Sequence, residues 1–230
     1  MRFTVAGTLD TGFGSMGVFI SFGLSKIFSI AIQPDGDLIF GGVSPTGNFA
    51  LERNLSGTMA AVEFYHAALD HYFLSMNPQE VEDLDLGVHA GWQRTGQSFP
   101  VFGSLAAATA SAAGVANSPV CRFYIPPQHG DSHFFSGDQF ECQSALAKSA
   151  TDPSFSGYVE ETSSAFFLGI PNSFTGACPA GTMPIYRLWN QRFDSNHRYT
   201  TDPAIKAQMI ARGYVAEGSG PDSVAMCAPQ

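Results

Sequence analysis

The sequence is short of charge, of tryptophan, of long apolar runs and, over its first half, of cysteine. Charged residues make up 13% of its 230 positions, and 20 Asp and Glu outnumber 11 Lys and Arg, for a net charge of -9. So few cations exclude duplex DNA and anionic membrane surfaces as general partners, because both require a basic footprint. The most apolar stretch, Met16 to Ile32, is interrupted by Gly17, Ser21, Gly23, Ser25 and Lys26. It falls short of the roughly 20 residues a spanning helix needs, so no membrane insertion is expected. The opening residues through Asp10 lack the basic start and continuous apolar run of a secretory leader; a leader is expected to be absent from this chain, which reads as a fragment.

Several motifs that carry chemistry are absent. No phosphate-binding or dinucleotide glycine loop and no His-Glu-x-x-His occurs. Asp35-Gly36-Asp37 is too little for a calcium loop. No cofactor and no metal is therefore expected. The four cysteines, Cys121, Cys142, Cys178 and Cys227, are too far apart for a Cys-x-x-Cys site. Two disulfides are expected, paired locally as Cys121–Cys142 and Cys178–Cys227, and with them export from the cell.

What is present is apolar and aromatic, with 44% hydrophobic residues and 20 Phe. Composition changes near residue 57. Residues 1–57 carry a net charge of -1 and residues 58–230 a net charge of -8. The first region reads as antiparallel strands at 17–22, 27–32, 38–43 and 48–53. Pro34-Asp35-Gly36 forms the turn between the second and third.

The second region holds three related stretches, at about 61–104, 119–170 and 183–229. Each opens on a hairpin: Phe64-Tyr65-His66 with Asp70-His71-Tyr72-Phe73, Arg122-Phe123-Tyr124 with Asp131-Ser132-His133-Phe134, and Arg187-Leu188-Trp189 with Asp194-Ser195-Asn196-His197. A helix start follows at Asn77-Pro78, Asp138-Gln139 or Asp202-Pro203. Each stretch then continues from Gly91-Trp92, Gly157-Tyr158 or Gly213-Tyr214 into a strand. The alanine run 105–114 between the first two is a loop or a weak helix. The expected fold is mainly β with short helices (α+β). It consists of a pseudo-threefold, three-repeat domain over 58–230, preceded by a single antiparallel blade-like β segment over 1–57.

Two resemblances follow. Gly7-Thr8-Leu9-Asp10-Thr11-Gly12-Phe13-Gly14, Ala31-Ile32-Gln33-Pro34-Asp35-Gly36 and Asn48-Phe49-Ala50-Leu51 resemble one copy of the Delta-60 repeat of bacterial surface and secreted proteins, a family of propeller-type blades. Phe64-Tyr65-His66, Asp70-His71-Tyr72-Phe73, Gly91-Trp92 and Tyr186-Arg187-Leu188-Trp189-Asn190 resemble a domain of unknown function from exported bacterial proteins. The resemblances imply a bacterial protein that is secreted or held at the cell surface.

The candidate chemistry is of two kinds. Asp70, Asp131 and Asp194 precede His71, His133 and His197, with Ser132 and Ser195 between. A carboxylate can orient an imidazole for catalysis or binding, so these eight residues are the catalytic candidates. Threefold repetition suits structural struts or repeated ligand pockets better than one active site. Trp92, Trp189, Tyr199, Asn190 and Arg192 are the ligand-binding candidates, as aromatic rings and polar groups suited to sugars. The expected function is an extracellular binding module for a glycan, a cell-wall polymer or a surface protein. A small serine-type hydrolase and a structural cap of a longer repeat protein are the alternatives. Self-association through the lone N-terminal β segment is a further expectation.

Overall fold

The computed structural model describes residues 21, 23–32, 38–54, 58–103, 105–110 and 117–230. Most of the first expected strand, the Pro-Asp-Gly turn and the opening Delta-60-like motif lie outside them. The other three expected strands are present as β1 (Lys26–Ile32), β2 (Leu38–Val43) and β3 (Phe49–Asn54), an antiparallel sheet with β2 in the middle. Its glycines have a steric cause: a Cβ on Gly42 would stand 1.9 Å from the Lys26 carbonyl oxygen, so only glycine lets the two strands approach there.

From residue 58 the order hairpin, helix, strand occurs three times. The first set is β4 (Thr58–His66), β5 (His71–Ser75), α1 (Pro78–Asp85) and β6 (Trp92–Phe102). A short helix, α2 (Leu105–Ala110), leads to β7 (Asn117–Ile125), β8 (Ser132–Ser136), α3 (Gln139–Thr151) and β9 (Val159–Gly169). The third set is β10 (Thr182–Trp189), β11 (His197–Thr200), α4 (Pro203–Ala211), β12 (Val215–Glu217) and β13 (Val224–Pro229). In each set the first strand pairs on one side with its hairpin partner and on the other with the closing strands. The three groups join into one open, ten-stranded sheet through single residue pairs, Phe102 with Phe167 and Cys227 with Gly169.

Local chemistry repeats with the order. The residue before each helix caps it: Asn77, Asp138 and Asp202 accept backbone N–H bonds through their side chains. Gly91, Gly157 and Gly213 all adopt left-handed backbone, at φ 92, 82 and 92°, immediately before Trp92, Tyr158 and Tyr214. The common core draws Leu74, Phe99, Phe135, Phe166, Ile185, Tyr199 and Met226 from all three sets. The disulfides are Cys121–Cys142, tying β7 to α3, and Cys178–Cys227, tying the segment before β10 to β13.

Candidate functional site

Where consecutive sets meet, the third residue of one helix faces the first strand of the next set. Glu80 of α1 takes a two-pronged bond from Arg122 on β7, at 2.8 and 2.9 Å. Glu141 of α3 takes the same bond from Arg187 on β10, at 2.7 and 2.8 Å. Each arginine also contacts a carboxylate of its own set through Nε, Glu161 at 2.7 Å and Glu217 at 2.9 Å. Those carboxylates in turn stand 3.3 Å from His133 Nε2 and 3.4 Å from His197 Nε2. Ser75 and Ser136 donate to Glu80 and Glu141, at 2.5 and 2.6 Å. The guanidinium of Arg122 lies over the Phe73 ring and that of Arg187 over Phe134.

Both networks form the floor of an open cleft. The larger, about 700 Å³, lies between the second and third sets and is walled by Phe134, Phe155, Tyr158, Trp189 and Phe193. The smaller, about 540 Å³, lies between the first and second sets and is walled by His66, Phe73, His89 and Trp92. The junction of third and first sets is wired in reverse. Glu63 occupies the arginine's place, and Arg198 binds it at 2.8 and 2.9 Å. Arg198 lies over Tyr72 with 4.2 Å between guanidinium carbon and ring centre, and donates to Met209 Sδ. Both Met209 and Tyr214 are buried there.

The expected Asp–His pairs are not formed in space. Asp70 and Asp131 adopt left-handed backbone at the hairpin tips, and each accepts a hydrogen bond from a tyrosine, Tyr65 at 2.9 Å and Tyr124 at 2.6 Å. Asp70 is further held by Arg192 and Arg212, whose bonds outweigh burial and keep its carboxyl below its usual range. Asp194 binds Arg192 and lies 3.4 Å from His71, in the first set. The histidines also differ in register. His133 pairs across its hairpin with Tyr124, and His197 with Trp189, but Tyr72 rather than His71 faces Tyr65. His71 is wholly buried; apart from the 3.4 Å approach of Asp194 to Nε2, its ring nitrogens have no polar partner among the described residues.

Ser132 donates to the Ser195 carbonyl, and Ser195 accepts from Trp189 Nε1 at 3.1 Å. Among the described residues no serine hydroxyl is hydrogen-bonded to a histidine. Trp92 lines the smaller cleft, and Trp189 and Arg192 the larger. Tyr199 is core, its hydroxyl bonded to the Phe135 backbone. Asn190 is buried in the turn, donating to Asp194 O and accepting from Asn196 N.

The electrostatics limit what the floors can do. Burial pushes Glu80, Glu141, Glu161 and Glu217 upward, but arginine, serine and histidine partners outweigh it and hold all four below their usual range. These carboxylates stay ionised, so none is suited to donate a proton as a glycosidase acid must. Burial lowers His197 and keeps it neutral, and its buried Nδ1 has no hydrogen-bond partner among the described residues. Fixed charges, a neutral imidazole and exposed rings can orient and stack a bound molecule.

A family profile described as a domain of unknown function (DUF5648) matches residues 60–224. The chain belongs to the DUF5648 family. The match spans both clefts and the reversed junction, and it leaves the three-stranded sheet of β1–β3 outside the DUF5648 region. No curated protein and no solved structure matches the chain. Sequence reading missed the Glu–Arg–Glu–His floors. Their signal was Arg122 and Arg187, each two residues before the aromatic Tyr124 or Trp189, where the first stretch has Glu63 before Tyr65.

Proposed function

We propose that the chain is a bacterial extracellular binding module for a glycan or similar surface polymer, and that the larger cleft is its ligand site. Residues 58–230 are, in this reading, three copies of one hairpin–helix–strand unit about a pseudo-threefold axis, following a Delta-60-like segment. The two disulfides support an oxidising location. No helix among the described residues is long and apolar enough to cross a membrane.

One observation carries the reading: half-buried Tyr158 and Trp189 and exposed Phe193 wall an open cleft whose lining also includes the Glu141 and Glu217 carboxylates and Arg187. Sugars present an apolar ring face and a rim of hydroxyls, and such a wall and floor suit both.

The chain's two tryptophans lie in different clefts, so fluorescence reports each one. Trp92→Phe leaves Trp189 as the sole reporter of the larger cleft. Titration of this variant with chitotetraose, cellotetraose and mannotetraose is expected to give a saturable change with one of them. Tyr158→Ala should weaken that binding at least tenfold. A flat Trp189 signal with all three sugars, confirmed by calorimetry, would overturn the reading.

A further inference from the structure

We infer that the smaller cleft is a second copy of the ligand site, that the third junction is closed by the chain itself, and that the module therefore binds a polymer at two points. This rests on the glycan reading of the larger cleft and extends it to the form of the ligand, a chain repeating one sugar motif.

The warrant is the match in wiring. The two floors share a two-pronged arginine–glutamate bond, a second carboxylate on the arginine Nε, a histidine beside that carboxylate and a serine on the first glutamate. The walls correspond as well. Trp92 and Tyr158 each follow a left-handed glycine at the start of the closing strand, and both line their cleft. His133 packs on Phe73 at 4.7 Å between ring centres, and His197 on Phe134 at 5.3 Å. A purely structural need for the ion pairs would not require open, aromatic-walled space above both of them.

The third junction shows the same geometry put to structural use. There the residue matching Phe73 and Phe134 is Arg198, and the residue matching His133 and His197 is Tyr72. Arg198 reaches across to Glu63, and Arg212 bonds both the Tyr72 hydroxyl and Asp70. Side chains thus occupy the volume that stands open at the other two junctions. Two sites on one chain raise avidity for a repeating ligand by about 10²–10⁴ over a single contact.

The test blocks each cleft from an exposed position, so that folding is spared. Ser144→Arg obstructs the larger and Val88→Arg the smaller, since Ser144 and Val88 line them and are exposed. Calorimetry with chitotetraose, cellotetraose and mannotetraose is run beside binding to glycol chitin, hydroxyethyl cellulose and mannan. The wild type should take two tetrasaccharides per chain and each blocked variant one. Polymer affinity should fall at least tenfold in either variant, while the open cleft keeps its tetrasaccharide affinity. Saturation at one tetrasaccharide, with Val88→Arg without effect on the polymer, would overturn the second site and leave the larger cleft standing. No response to any sugar at either tryptophan would overturn both.

Discussion

Glu63 and Arg198 are the most deeply buried ion pair among those described, with side-chain exposures of 2% and 9%. Their bond closes the junction that brings the last set against the first. Glu63→Gln keeps the shape and strands the Arg198 guanidinium among Tyr72 and Met209. Removing one partner of a buried pair costs about 3–5 kcal/mol, and urea denaturation should show a matching loss. Glu141→Gln should cost clearly less, because that carboxylate is 40% exposed. A smaller effect at Glu63 than at Glu141 would mean that the third junction is not what holds the sets together. At this scale the sequence misleads where proximity along the chain is taken for proximity in space. Asp131 and His133 are two residues apart, yet the left-handed turn at Asp131 swings its carboxylate to Tyr124. The imidazole instead meets Glu161 from another strand. No local pattern encodes such a contact.

The elements were more legible, because caps and stops are local chemistry. Asn77, Asp138 and Asp202 mark helix starts, and Gly213 follows the end of α4, all within the chain that forms them. Within the alanine run, Leu105–Ala110 form α2, a helix too short to stand without packing. The disulfides also act at this scale, each closing elements of one set. They span 21 and 49 residues, and loop-closure entropy then gives about 3 and about 4 kcal/mol. Paired Cys→Ser replacement should lower the urea midpoint more for Cys178–Cys227 than for Cys121–Cys142. The reverse order would show that packing of β7 on α3, rather than the length of chain closed, sets the contribution.

The whole molecule couples these parts through titratable groups, and this makes its stability sensitive to acid. Burial holds His71 and His197 below the ordinary histidine value of 6.5, since protonation would place a charge in the core. The unfolded chain takes up those protons first, so their contribution is full above about pH 6.5 and is lost as pH falls toward their depressed folded values. Asp70, Glu80, Glu141, Glu161 and Glu217 are likewise depressed, with ion pairing and hydrogen bonding outweighing burial. Their contribution is present above the ordinary carboxyl range near 4 and disappears below it. The two effects share a sign and occupy successive windows. Urea midpoints measured from pH 8 to pH 3 should therefore be level above 7, begin a first fall below about 6.5, and fall again below about 4.5. His71→Asn should shrink the first step to the part His197 contributes and leave the second. A midpoint that stays level well below pH 6.5 would mean that the carboxylates beside them, Asp194 and Glu217, favour the charged imidazoles enough to offset burial.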